Sequence, residues 1–400
     1  MLRKLGRGLR WSVTWPVVLL ALPLALFIRS FNRLFRIRYG YFLTHRIGHF
    51  SFDLEYFLSG KKLQGTGRGT RDLFYLVGKH SNSYLVELSK RNLNISFWYQ
   101  FLHKADKLLS FSSDIAIEPA WLKTGSRDYE GRLAKTSPHI KFRQDEETYG
   151  WEILRNLGIH DSDKFVCLIV RDSAYLETID GPGRRDYHSF RDSDVQDYRH
   201  VANELAQKGY WVLRMGKVVK SKFDVAHPKV IDYANSDWRS DFLDIWLMSK
   251  CYFCISTSTG FDAVGDMFRK SFAFVNFMPL RYFQTWSSCV LAPSHLIWKH
   301  SGTYLNCRDH LRHGYQKSEQ YEVANIEIRT LQPEEITATV LELEARLGGT
   351  WPETTKQVEY QEKFWDIYKT IEGETPATSF YHPNAFLSSA FLEKHPSFLE

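Results

Sequence analysis

The sequence predicts an α/β protein with doubly wound parallel sheets, arranged as two Rossmann-like halves behind an apolar N-terminal segment. Three observations predict it. Residues 165–170 (Phe-Val-Cys-Leu-Ile-Val) form an uninterrupted apolar run, as a strand covered on both faces requires. Strand-like and helix-like stretches then alternate through residue 276 with short connections, which implies parallel pairing. At Ser256-Thr257-Ser258-Thr259-Gly260 a short apolar strand passes into a helix through small hydroxyl residues and a glycine. Such a junction lets a ligand approach unpaired amides at a helix start, where an anion is favoured.

Taken in order, residues 1–38 are set apart by charge and hydropathy. Residues 1–46 carry nine Lys/Arg and no acid, whereas the rest of the chain is net negative by three, although the whole is +6. The body is therefore not a nucleic-acid-binding surface by charge. An uncharged stretch of 18 residues, 11–28, lies between Arg3, Lys4, Arg7 and Arg10 on one side and Arg29, Arg33, Arg36 and Arg38 on the other. Its length is at the lower edge of what spans a bilayer, and Pro16 and Pro23 would each weaken or kink a helix there. Positive charge at both ends is at odds with a single span. A bent hairpin or an interfacial helix keeps both clusters at the anionic cytoplasmic surface. A cleavable signal is disfavoured by the prolines and the arginines that follow.

Residues 39–158 read as the smaller α/β half. Strands are expected at 41–43, 73–77 and 95–98, with a turn at Arg46-Ile47-Gly48-His49 and a helix over 50–58. Residues 60–69, with four glycines, read as a flexible loop. The link to the next half is placed at 160–163. Residues 159–345 hold the larger half. After the strand at 165–170 comes a capping-box pattern at 193–196, then Tyr198, Val201, Ala202, Leu205 and Ala206 at helical spacing, and Gly209 as the stop. A second strand covers 210–213, a third 251–255 and a fourth 271–276, with helices led by Phe242, Ile245 and Trp246 and by a run over 261–268. Residues 346–400 read as a helix returning to the first domain, through Phe364, Trp365 and Tyr368, and an irregular tail with three prolines.

Ligands of such sheets bind outside the carboxyl ends of the strands. Arg171, Asp172, Arg214, Gly216, Lys217 and Ser256, Ser258, Thr259 and Gly260 all fall there, so the expected anion site joins three cations to a helix start. Arg171 and Lys217 are also the expected catalytic cations, because preorganised amides and Arg/Lys groups stabilise developing negative charge without a metal. His49 is the candidate general base, with Arg46, Gly48, Asp53 and Glu55 beside it. His188 and Arg191 are further candidates for reaching the cleft, and residues 181–185 read as a charged mobile loop. Asp161-Ser162-Asp163 and Asp192-Ser193-Asp194 have the Asp-x-Asp form of metal-dependent sugar transferases, but sit where turn and capping acids belong, so no metal site is expected. Five cysteines, three of them in strand-like segments, read as core thiols of a reducing compartment. Cys251-x-x-Cys254 lacks both the helix of a redox motif and a second ligand pair for zinc.

The chain resembles a family of bacterial glycosyltransferases found with surface-polysaccharide genes. The resemblance rests on Arg46-Ile47-Gly48-His49-Phe50 with Glu55-Tyr56-Phe57-Leu58, on Val170-Arg171-Asp172, and on Tyr187-His188-Ser189-Phe190-Arg191. It extends through Arg214-Met215-Gly216-Lys217, Arg239-Ser240-Asp241-Phe242-Leu243-Asp244 and the STSTG run, covering most of residues 40–345. It implies two facing Rossmann-like domains in the GT-B arrangement, with a nucleotide-sugar donor in the C-terminal domain and an acceptor in the N-terminal one. It implies no cofactor beyond the nucleotide-sugar substrate, and a lipid-linked or polysaccharide acceptor at the cytoplasmic membrane face. Asp232 and Tyr233 lie where donor domains of this fold recognise the base or ribose. A nucleotide-sugar epimerase of the same fold and a non-catalytic scaffold for polysaccharide assembly are the alternatives. The anchored N-terminus argues against the first and the anion set against the second.

Overall fold

The computed structural model describes residues 2–31, 36–65, 69–109, 115–180, 186–372 and 379–400. The charged loop at 181–185 and the side chain of His188 lie outside the described residues. Two compact units result, residues 1–127 with 139–141, and residues 128–138 with 142–400.

In the first unit, α1 (Leu2–Ser30) runs as one helix through Pro16 and Pro23, without the bend that the hairpin alternative requires. Val18 and Ala25 on one side of α1 pack with Phe101 and Ala105. Its other side leaves Leu19, Leu20, Leu24, Leu26 and Phe27 exposed. Among the described residues no helix is long and apolar enough to cross a membrane. β1 (Ile37–Leu43) leads into α2 (Ile47–Gln64) and then β2 (Arg71–Val77), which pairs parallel with β1 from Ile37↔Arg71 to Leu43↔Val77. α3 (Ser83–Asn92), capped by the Asn82 side chain, and α4 (Tyr99–Leu109), which carries Phe101 and Ala105, follow. β3 (Ala116–Ile117) adds to the far side of β1, and α5 (Ala120–Thr124) closes the unit. The strand expected over 95–98 reduces to a single bridge, Ile95 to Phe74, because Phe97 and Trp98 point outward and the chain turns into α4.

The second unit takes in residues 128–138 and, from 142, its first helix α6 (Gln144–Asn156), so the chain changes unit earlier than the expected link at 160–163. What ties α6 there is Trp246: its indole N–H donates to Glu147 (3.0 Å), and Trp151 meets it edge-on at 5.4 Å. Then come β4 (Phe165–Ile169), α7 (Ala174–Asp180), α8 (Arg199–Gln207), β5 (Trp211–Arg214), β6 (Val230–Ile231) and α9 (Asp241–Lys250). β7 (Cys254–Ser256), α10 (Asp262–Met267), β8 (Phe272–Phe277) and β9 (Cys289–Pro293) follow. The strand expected from Cys251 starts three residues later, since the Cys251 N–H still closes α9 on the Leu247 carbonyl (2.9 Å). Helix capping before α8 also differs: Asp194, not Ser193, accepts from the Gln196 N–H. β10 (His295–Trp298), α11 (Cys307–Arg312), α12 (Ser318–Val323) and β11 (Ile326–Arg329) form a side lobe with its own two-stranded sheet. α13 (Pro333–Leu347), α14 (Thr355–Glu372), β12 (Ala385–Leu387) and α15 (Ser389–Lys394) complete the unit.

Seven of these strands make one parallel sheet, in the order β12-β9-β8-β7-β4-β5-β6. From β4 the chain builds outward through β5 and β6, then returns to β4's other side with β7 and continues to β12. The order therefore reverses between β4 and β7, and in open α/β sheets that reversal leaves a crevice at the strand carboxyl ends. The C-terminal stretch departs from expectation. It belongs to this second unit, where β12 pairs with β9 and Phe364, Trp365 and Tyr368 of α14 pack around Phe283. All five cysteines are buried free thiols; Cys251 and Cys254 lie 3.5 Å apart at sulfur.

Candidate functional site

In the first unit, α2 begins directly after the short turn that leaves β1. Gly48 and His49 are thus in its first turn rather than in a glycine loop, and Arg46 is the extended residue before it. His49 and Asp53, one helical turn apart, lie on the same face and converge on Ser126. His49 Nδ1 is 2.8 Å from Ser126 Oγ, and that hydroxyl donates to Asp53 Oδ1 at 3.1 Å. The other Asp53 oxygen accepts the Trp121 N–H (3.4 Å), while the Trp121 ring flanks the imidazole. Burial, reinforced by Arg46, His45 and Arg127, pushes His49 down to about 4, so the ring is neutral at physiological pH. Burial pushes Asp53 up to about 7 against the pull of Ser126 and the Trp121 amide. With Asp53 ionised, Ser126 donates to it and accepts from His49 Nδ1–H, which makes Nε2 the basic nitrogen, the acceptor that faces the Arg46 guanidinium. Arg46 Nη1 stands 3.5 Å from that Nε2.

Glu55 belongs elsewhere. Two residues along α2 it points to a different side, fully buried, and accepts from the His139 amide (3.2 Å) and Ser59 while pairing with His139 Nδ1 (2.9 Å). It pins the 139–141 segment, and as a candidate acceptor-side residue it is corrected. Ser126, which completes the His49–Asp53 pair, carries no sequence signal of its own; only its left-handed backbone (φ 60°) marks it.

In the second unit the β4/β7 reversal is bridged by two residues, the Arg171 N–H donating to Thr257 Oγ1 at 2.9 Å. The Arg171 guanidinium pairs with Asp192 (3.1 Å) and lies in the field of a second one, Arg191. Burial and the Arg171 charge lower Arg191 to about 10, and its buried Nε has no hydrogen-bond partner among the described residues. Burial raises the Asp192 carboxyl, although Arg171 opposes it. Asp192 lies between the two guanidiniums, and Asp172 and Asp262 also act on this group of charges, so the switch point is a cluster of mixed sign in which Arg191 Nε is left unpaired among the described residues.

The STSTG run shapes the floor of this place differently from expectation. Asp262, fully buried, takes the Ser256 hydroxyl (2.6 Å), the Thr259 amide (2.7 Å) and the Thr259 hydroxyl (3.2 Å). An internal carboxylate thus fills part of the anion-binding capacity assigned to those amides, and Ser256 and Thr257 are wholly covered. Burial pushes Asp262 up to about 7. The left-handed residue is Ser258 (φ 62°), and Ser258, Thr259 and Gly260 are the members that reach solvent. Thr259-x-x-Asp262 is itself a capping pattern, so the carboxylate was there to be found in the sequence.

The other expected contacts are holding contacts. Arg214 is 1% exposed and sits between Asp232 (3.3 Å) and Asp172 (3.8 Å). It is corrected from a ligand-facing cation to a buried tie between the ends of β4, β5 and β6. Asp172 also accepts the Ala174 and Lys220 amides, which fixes the start of α7 and the 217–220 turn. A Cβ on Gly216 would stand 2.4 Å from Val219, so that glycine serves close packing. Lys217 pairs with Asp241 (2.9 Å) and keeps about a third of its side chain exposed. Asp232 accepts the Phe223 amide and Asn235, and Tyr233 is fully buried with its hydroxyl on Asp244 (2.8 Å). Tyr233 thus presents no face to a base or ribose, and both Asp232 oxygens are taken by Arg214, Phe223 and Asn235. Asp194 caps its turn, Asp161 pairs with Arg155 (3.1 Å) and Asp163 accepts the His160 amide, so every Asp-x-Asp carboxylate has a structural partner.

No family model matches the chain, and no curated protein matches it. Among solved structures, the glycosyl transferase family 9 protein from Veillonella parvula overlaps 65% of this chain and 86% of its own, at 12% identity and a TM-score of 0.40. The dodecameric iron-containing heptosyltransferase TibC, in complex with ADP-D-β-D-heptose, overlaps 78% and 77%, at 12% identity and a TM-score of 0.39. Both scores lie below the level at which overlap alone establishes a common fold.

Proposed function

We propose that the chain is a glycosyltransferase that takes its sugar from a nucleoside-diphosphate donor, held by the second unit, and passes it to an acceptor hydroxyl activated by the first. The observation that carries this reading is Arg171 at the β4/β7 reversal, its N–H on Thr257 and its guanidinium on Asp192, with the buried Arg191, whose Nε has no hydrogen-bond partner among the described residues, in its field. A departing diphosphate gains negative charge as the anomeric C–O bond breaks, and two preorganised guanidiniums stabilise that charge more in the transition state than in the ground state. On the acceptor side, a hydroxyl that takes the place of Arg46 at His49 Nε2 passes its proton to that nitrogen as its oxygen becomes the nucleophile. Ser126 and ionised Asp53 then stabilise the imidazolium through Nδ1–H.

A lipid-linked or polysaccharide acceptor at the cytoplasmic membrane face is the further part of this proposal. Its support is the outer side of α1, where Leu19, Leu20, Leu24, Leu26 and Phe27 are exposed, together with exposed Phe97 and Trp98 near α4. A helix with one packed side and one bare apolar side, in a basic segment, suits an interfacial position on anionic lipid.

A thermal-shift panel tests the function. Nucleoside diphosphates and nucleotide sugars at saturating concentration raise the melting temperature of the full chain by mass action, whereas nucleosides do not. No shift with any nucleotide across the panel overturns the donor assignment.

A further inference from the structure

Away from both sites, three side chains from distant parts of the sequence converge in the second unit. His295 opens β10, Glu335 lies in the first turn of α13, and His395 follows α15. His395 Nε2 is 2.6 Å from Glu335 Oε1, and His295 Nε2 is 3.3 Å and 3.4 Å from the two carboxylate oxygens. The three donor atoms all lie within 4.8 Å of one another, with His295 and Glu335 buried and His395 half-buried.

We propose that these three residues bind a divalent transition-metal cation, zinc being the best fit. Two imidazole nitrogens and one carboxylate oxygen form a donor set suited to such ions. Bonds of about 2.0–2.2 Å in a tetrahedral site place ligand atoms roughly 3.3 Å apart. His295 already stands at that distance from Glu335, and His395 has less than about 1 Å to withdraw. The ligands are oriented by contacts that need no ion. Glu335 Oε2 is taken by the Gln332 N–H (2.8 Å) in the capping box of α13, which turns Oε1 toward both imidazoles. Phe391 stacks on His295 (5.7 Å) and lies 4.9 Å from His395, fixing both rings. Second-contact groups of this kind set ligand direction in metal sites. Lys394 Nζ, 3.5 Å from Oε1 on a side chain half exposed, is the group a cation displaces toward solvent. Water fills the remaining coordination position. Bound metal would clamp the chain after α15 to β10 and α13, the work a disulfide does in an oxidising compartment.

The rival arrangement is a carboxylate that merely accepts hydrogen bonds from two imidazoles. Full-length protein stripped with a chelator and titrated with Co²⁺ separates the two. The proposal expects one equivalent to give the visible d–d absorption of a low-coordinate site, Zn²⁺ to abolish it by displacement, and Zn²⁺ to raise the melting temperature. Glu335→Gln keeps one acceptor oxygen, for the rings or for the Gln332 N–H, and His395→Gln keeps a polar side chain of similar reach. Both should remain folded, yet lose Zn²⁺ affinity by more than the roughly 10–100-fold that removal of an outer-shell partner costs. A Co²⁺ spectrum that is absent from the parent protein, or that persists at unchanged affinity in both variants, overturns the site. Neither outcome depends on glycosyl transfer.

Discussion

Ser126 holds a left-handed backbone that costs serine about 1–2 kcal/mol, and glycine nearly nothing. Ser126→Gly therefore relieves strain while deleting the hydroxyl between His49 and Asp53. Stability should stay within about 1 kcal/mol of the parent. Turnover should fall by about 10²-fold or more, the usual size of a lost general-base contribution. A variant with undiminished turnover would assign the hydroxyl to shape alone. Because burial pushes Asp53 up to about 7, turnover should also rise with pH through that value, as ionised Asp53 fixes the productive His49 tautomer. Asp53→Asn should remove that limb. These contacts were only partly legible in the sequence. His49 and Asp53 follow from their four-residue spacing on a helix, but Ser126 is 77 positions from His49 and meets it only in the folded unit.

At the scale of elements, the turn before α10 and the helix α6 give the sharpest expectations. Asp262 has an ordinary carboxyl value of 3.8 when unfolded and is raised by burial to about 7 when folded. Between those values the native state binds more protons than the unfolded state, so stability falls as pH rises from about 4 to 7 and levels above. Asp262→Asn keeps an acceptor for Ser256 and Thr259 but cannot ionise. Chemical denaturation at pH 5 and pH 8 should therefore show the variant gaining on the parent at the higher pH; parallel curves would contradict the assignment. On α6, Gly→Ala normally stabilises a helix interior by about 0.5–1 kcal/mol. At Gly150 a Cβ would stand 2.3 Å from the Trp246 ring, and overpacking of this kind costs about 1–3 kcal/mol. Gly150→Ala should thus destabilise the protein, and a raised melting temperature would sink the account of why α6 joins the second unit. The parallel strands from 165 to 276 were readable because burial on both faces leaves unbroken apolar runs. β12 was not, since Ala385-Phe386-Leu387 is too short to stand out and gains its partner, β9, from the far edge of the sheet. The His295–Glu335–His395 cluster escaped for a like reason, its members being 40 and 60 residues apart.

For the whole molecule, charge and apolarity concentrated in one segment organise the expected behaviour. Deleting the N-terminal 38 residues would uncover Phe101 and Ala105 of α4, so it perturbs the first unit as well as attachment. Leu20→Asp with Phe27→Asp changes only the exposed side of α1. In flotation with vesicles rich in anionic lipid the parent chain should rise with the lipid and the double variant should remain below. Equal flotation of both would remove α1 from the membrane contact. The central claim is narrower, that the β4/β7 switch point holds a diphosphate through Arg171 and Arg191. Titration of a nucleoside diphosphate into the parent chain and into Arg191→Gln, followed by calorimetry, tests it most directly. A charge-assisted contact worth about 1.5–3 kcal/mol predicts affinity lower by roughly ten- to hundred-fold in the variant, with its melting temperature without nucleotide little changed. Diphosphate affinity equal in the two proteins would contradict the claim.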